Sequence, residues 1–191
     1  GEAVACFEKT IAEYVGVSHA VATVNATAAL HLSLILSGTG SSDAVITQSN
    51  TFVAPANAIR YSGAEPIFVD IDPDDLGMSP VALERFLHQE TELTDGDCIH
   101  KATGRRIKAV VPVHVLGHPV DMTAIVAVAH QHRLVVIEDA AEALGSSILV
   151  GGHQKRCGSL GDVGVLSFNA NKFITTGAGG MLLTDDEALA Q

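Results

Sequence analysis

Short, nearly continuous apolar runs alternate along this chain with stretches in which apolar side chains return at helical spacing. Val4, Phe7, Ile11 and Tyr14/Val15 predict a helix over residues 2–15, which Gly16 ends. A strand at His19–Val24 follows, and Asn25-Ala26-Thr27 opens a helix to about Leu36 with Gly38 just beyond it. The pattern recurs: strand Ala44–Gln48, helix Phe52–Tyr61, strand Pro66–Ile71, and a helix from Ser79-Pro80 to about His88. Strand Ile107–His114, helix Met122–His132 and strand Leu134–Glu138 continue it. Val163–Phe168 and Gly180–Thr184 close it as two strands around a glycine-rich loop. Residues 90–106 and 145–161 are polar or glycine-rich and read as loops or hairpins; no internal repeat is present.

Strands alternating with helices mean βαβ units: an α/β fold in three α/β/α layers around a mostly parallel, seven-stranded sheet. The last strand follows its predecessor too closely for a helical crossover, so it is expected to run antiparallel. In such sheets ligands bind beyond the carboxyl ends of the strands. That rim comprises Asn25–Ala28, Asn50–Phe52, Asp70, His114, Asp139 and Ser167–Lys172.

Composition narrows the class. The 191 residues suit one large domain or a small pair, and 47% hydrophobic against 17% charged residues describes a core-rich globular chain. A net charge of −11 argues against a nucleic-acid partner. No run approaches the ~18 apolar residues of a membrane span. Cys6, Cys98 and Cys157 are odd in number and widely spaced, which predicts no disulfide framework and a reducing, cytoplasmic location. The sequence begins at Gly1 without a signal-peptide pattern, which leaves a targeting segment further upstream open.

The rim residues carry the chemistry. Lys172, between two apolar strands, reads either as a surface lysine in a glycine-rich turn or as a desolvated amine able to form a Schiff base. Thr27 is either an N-cap or a hydroxyl donor beside the anion-binding start of a helix. Asp139, at the end of the run VVIED, caps a loop or pairs with a buried cationic group. An amine, an anion site, a carboxylate, the Ser167 hydroxyl and the Phe52 ring together form the set that pyridoxal phosphate needs. His114/His118 and His130/His132 make only a weak case for zinc, since no third ligand is spaced to complete a site. A nucleotide-binding α/β module is the rival of a different class, but neither G-x-G-x-x-G nor G-x-x-x-x-G-K-[ST] occurs in the required context.

The motifs NATAALHLSL, NTFVAPANAI, EPIFVDID, VVPVHVLGHPVDM, IEDAAEALGSS and SFNANKFITTGAGGML span nearly the whole chain. Together they resemble the DegT/DnrJ/EryC1/StrS sugar aminotransferases, pyridoxal-phosphate enzymes of fold type I, and within them the legionaminic-acid and perosamine-type branch. The resemblance implies that Lys172 is the Schiff-base lysine, Asp139 the partner of the pyridine nitrogen, and Phe52 the aromatic on the ring. It assigns Thr27, Ala28 and Ser167 to the phosphate. Glu142 falls where the family often has a glutamine contacting the ring hydroxyl, and a carboxylate there would repel that oxygen unless a proton lies between them. The implied reaction is a ping-pong transamination from an amino acid, expected to be glutamate, to a nucleotide-linked 4-keto-6-deoxy sugar of polysaccharide biosynthesis. A dehydratase branch that replaces the lysine by histidine does not match. The resemblance further implies that residues 1–191 are the large cofactor domain of a homodimeric enzyme. An upstream arm and a C-terminal small domain would be missing, so that the piece alone could be catalytically incompetent.

Overall fold

The computed structural model describes residues 1–191. Helix α1 (Glu2–Val15) leads to β1 (His19–Thr23), α2 (Ala26–Leu36), β2 (Asp43–Gln48), α3 (Val53–Tyr61), β3 (Glu65–Val69) and α4 (Pro80–Glu90). Hairpin β4 (Thr91–Thr94)–β5 (Asp97–His100) precedes β6 (Arg106–Val111), α5 (Met122–Gln131) and β7 (Val135–Asp139). A second hairpin, β8 (Ser147–Val150)–β9 (His153–Arg156), leads to β10 (Val163–Ser167), β11 (Gly180–Thr184) and the short α6 (Glu187–Ala190).

Seven strands lie in the order β1-β11-β10-β7-β6-β2-β3. The β3, β2, β6, β7 and β10 neighbours are all parallel, and β11 runs antiparallel to both β10 and β1. Because side chains alternate across each strand, Ile46, Val110 and Val136 pack on α4 and α5. Val45, Ala109 and Ile137 face α2 and α3 on the other side. Helix α1 covers Leu166, Met181 and Leu183 beside the first of these layers. The three-layer α/β fold is thus the expected one.

Local differences have local causes. The excursion at 90–106 is part of the sheet: β5 pairs antiparallel with the start of β6 through Cys98↔Ile107 and Ile99↔Arg106, making nine strands in all. Buried Cys98 and Ile107 anchor that join, and Arg106 grips buried Asp43 at 2.9 and 3.0 Å. The strand expected to reach His114 stops at Val111 because Pro112 offers no amide to the ladder. The strand expected to reach Ile71 stops at Val69, and Ile71 instead bridges Met78 across a turn. Thr27 is not the cap of α2. Asn25 is, its Oδ1 accepting from the Ala28 amide at 2.8 Å. All three cysteines are free, and no helix is long and apolar enough to cross a membrane.

Candidate active site

Three chain segments converge beyond the carboxyl ends of β7 and β10. They are the start of α2, the approach to α3 at Phe52, and the loop between β10 and β11. Glycine at 180 makes the convergence possible, since a Cβ there would drive into the backbone of Asn25 and Ala26. Strand β11 thereby touches the start of α2, with Asn25 bridging Gly179. The result is a cavity of about 330 Å3. Of the residues singled out from sequence, Thr27, Phe52, Asp139, Glu142, Ser167 and Lys172 all line it. Ala28 does not, and its amide is taken by the Asn25 cap. A larger groove of about 530 Å3 between α1 and β1 holds Glu8, Lys9 and Glu13 but gathers none of these groups.

Asp139 sits at the last position of β7, 4% exposed. One oxygen accepts from the Ala141 amide at 3.0 Å, and no cation pairs with the carboxylate. Burial raises its pKa to about 6, with the Ala141 amide foremost in pulling it back down. A buried carboxylate in this condition calls for a cationic N–H on the cavity side.

Lys172 does not stand alone at the edge of the core, as its sequence context suggested. Its Nζ donates to Glu142 Oε1 at 2.8 Å. The other Glu142 oxygen accepts from the Leu116 amide at 3.0 Å. The Lys172 hydrogen bond holds Glu142 below the ordinary carboxylate range, partial burial opposing it. Leu116 reaches this contact through a left-handed backbone (φ 54°), and Gly117 follows at φ 81° because a Cβ there would lie 2.8 Å from the Glu142 carbonyl oxygen.

At the opposite wall the first amides of α2, those of Ala26 and Thr27, have no preceding turn to bond. With the Thr27 and Ser167 hydroxyls they form a cradle suited to an anion. Phe52, 76% exposed, forms part of the rim. Sequence reasoning placed Ala26, Asn169 and Asn171 on the rim but gave them no role, and they also line the cavity. The two asparagines are bonded to each other at 3.1 Å, and their only signal is the N-x-N run before Lys172.

It also passed over a buried knot behind Asp139. Glu138 is fully buried and accepts from the amides of Gly158, Leu160 and Gly161 at 2.6, 2.7 and 3.0 Å. Its fourth contact is His114 Nε2, at 2.8 Å. Burial disfavours a charged ring at His114, whereas Cys157 and Glu138 favour one. The geometry decides: Nδ1 is taken as acceptor for the Val120 amide at 3.2 Å, so the ring is the neutral Nε2–H tautomer. His114, Glu138 and Cys157 offer donor atoms within 4.8 Å of one another, yet with four donors already on Glu138 the cluster is a scaffold, not a metal centre. Neither histidine pair considered for zinc is gathered with a third ligand.

Residues 1–191 match the model of the DegT/DnrJ/EryC1/StrS aminotransferase family. The chain is 44% identical over 184 residues to GDP-perosamine synthase of Caulobacter vibrioides, which covers 96% of this chain and 44% of the relative. A crystal structure of a DegT DnrJ EryC1 StrS aminotransferase from Brucella abortus superimposes with a TM-score of 0.88 at 37% identity, covering 100% of this chain and 48% of that one. The NtdA structure from Bacillus subtilis with bound cofactor PMP superimposes with a TM-score of 0.79 at 31% identity, covering 98% and 38%. The chain thus spans less than half the length of these relatives. Its family match runs from end to end, and it belongs to the DegT/DnrJ/EryC1/StrS aminotransferase family.

Proposed function

We propose that this chain is the cofactor-binding part of a pyridoxal-phosphate-dependent aminotransferase that delivers nitrogen to a nucleotide-linked 4-keto-6-deoxy sugar. The observation that carries the reading is Asp139, buried and without a cationic partner, on the same cavity as Lys172. The cavity suits a pyridine ring: a protonated ring nitrogen supplies the N–H that Asp139 lacks, and an amine waits on the same wall system. Bound there, pyridoxal phosphate supplies an electrophilic carbonyl and an electron-withdrawing ring.

The chain's own residues then have defined tasks. Asp139 keeps the ring nitrogen protonated. The Ala26 and Thr27 amides with the Thr27 and Ser167 hydroxyls hold the phosphate. Phe52 covers a ring face and excludes water. Family resemblance adds Ala28 to the phosphate contacts, although its amide serves the cap. Glu142, ionised beside Lys172, orients the amine and must exchange that contact when Lys172 Nζ turns to accept a proton from the donor's α-carbon. Glutamate is the donor proposed from the family resemblance, and a relative named GDP-perosamine synthase supports a nucleotide sugar as the proposed acceptor. A second copy is the partner proposed for the exposed apolar groups at the start of α3, Phe52 and Val53. The proposed location is the cytoplasm.

Incubating the protein with pyridoxal phosphate, reducing with borohydride and mapping the labelled peptide tests the reading. Label on Lys172 is expected, and a correctly folded protein with no labelled lysine overturns it.

A further inference from the structure

Beyond the cavity lies a second concavity of about 200 Å3, lined by Leu116, Glu142, Asn171, Lys172 and Phe173. Glu142, Asn171 and Lys172 belong to both spaces, so the Lys172–Glu142 pair is the partition between them. The outer wall is apolar and left in the open: Leu116 is 79% and Phe173 93% exposed. Leu116 is held there at a cost. A branched residue at φ 54° sits in a region that L side chains rarely adopt. The conformation persists because Leu116 N–H is latched to Glu142 and the Gly117 carbonyl accepts from Ser146 Oγ at 2.7 Å.

We propose that Leu116 and Phe173 form a specificity wall for the acceptor sugar, taking its deoxy methyl group while the ketone faces Lys172. The inference rests on the aminotransferase reading above. The charges of this wall choose between the two substrates. A dicarboxylic amino acid needs cations for both carboxylates, and Lys172, already bonded to Glu142, is the one cation here. A deoxy sugar needs an apolar surface for its methyl edge and polar groups for its hydroxyls, which Leu116 and Phe173 on one side and Asn171 and Glu142 on the other supply. The latch through Glu142 also means that the wall is positioned by the group that holds the reacting amine.

The test uses the full-length protein loaded with the cofactor in its amine form, with which an amino sugar cannot react, and two probes of the same nucleotide: a GDP-linked 4-amino-4,6-dideoxyhexose and its counterpart bearing a 6-hydroxyl. Isothermal titration reads their affinities without turnover. The wild type is expected to favour the deoxy sugar by roughly tenfold, below the ~100-fold that an enclosed apolar pocket reaches against an added hydroxyl, because this wall is open. Leu116→Asn, which tolerates the left-handed backbone, and Phe173→Ala should bring that ratio close to one, with unchanged melting temperatures confirming intact folds. An unchanged ratio in both variants overturns the assignment, as does a loss shared equally by both sugars and by glutamate. A protein that labels at Lys172 but shows either outcome fails this inference alone; one that takes no label fails the aminotransferase reading itself.

Discussion

Asp139 and Lys172 face one cavity from two different kinds of structure. Asp139 ends a buried parallel strand, both its backbone groups bonded to the segment that follows β6: its amide donates to Pro112 and its carbonyl accepts from His114. Directly before it, Glu138 is locked by four hydrogen bonds. Lys172 rides a loop whose residues 169–178 are nearly all exposed, tied by a few turn contacts and one side-chain ion pair. The difference matches the work proposed for each. An acid that only keeps a proton on a ring nitrogen benefits from a fixed, dry position, whereas an amine that bonds, releases and then carries protons needs room to swing. Rigidity and freedom are divided between the two sides of one site.

The sharpest way to break the rigid side is Glu138→Ala. It strands His114 Nε2–H and three amides at once, that of Gly158 fully buried, and leaves a void, so unfolding in urea should show a loss of about 3–5 kcal/mol. The loop 157–161 should become susceptible to protease first. A loss below about 1 kcal/mol would mean that the knot does not hold the strand end that presents Asp139.

Asp139→Asn moves the opposite way and with a sign fixed by pH. The folded carboxyl has a pKa of about 6 against an ordinary 3.8, so between those values the folded chain holds more protons than the unfolded one. Stability therefore falls as pH rises through that window and stays low above it. Without cofactor, the asparagine variant should be more stable than wild type at neutral pH by up to about 3 kcal/mol. That advantage should vanish near pH 4. Added pyridoxal phosphate should stabilise the wild type and not the variant. A variant no more stable than wild type at neutral pH would show that Asp139 already has a partner in the cofactor-free chain.

The same division explains what could be read from the sequence. The inner parallel strands of the main sheet were legible because a parallel strand buried on both faces is a continuous apolar run, and Ile107–Val111 or Val135–Ile137 can be little else. Asp139 and Lys172 were legible as strand-end and loop residues at the right rim. Hairpin β4–β5 was not assigned to the sheet, because TELT and DCIH carry only Leu93, Cys98 and Ile99 as apolar signals, and their pairing depends on Ile107 further along. Glu138 carried no signal. Whether a glutamate in an apolar run is tolerated depends on amides 20 to 23 residues away, which reach it only because glycine at 164 lets the Gly158 backbone lie across β10. The Lys172–Glu142 pair spans 30 residues and was hidden for the same reason.

Two glycines that follow Lys172 separate packing from backbone conformation. Gly180→Ala forces β11 off the start of α2 and should destabilise by about 1–3 kcal/mol, with a larger proportional loss of phosphate-dependent stabilisation. Gly177→Ala meets open space and bears only the strain of φ 86°, about 1 kcal/mol. Equal losses at the two positions would indicate that β11 does not set the geometry of the α2 start.

The smallest expected effect is the most informative about Lys172. Its ion pair with Glu142 has side-chain exposures of 17% and 37%, so water screens it and can rehydrate the carboxylate when the ammonium is removed. Pairs of that kind contribute about 0–1 kcal/mol, and Lys172→Ala should shift the urea midpoint of the cofactor-free chain by no more than that. The variant should nevertheless lose all borohydride-fixed label while still binding pyridoxal phosphate reversibly through Asp139 and the start of α2. Binding that survives without covalent capture would separate the fixed half of the site from its moving half. A destabilisation as large as that of Glu138→Ala would instead make Lys172 part of the scaffold, since a side chain on which the fold depends that heavily is not free to leave its partner during a reaction.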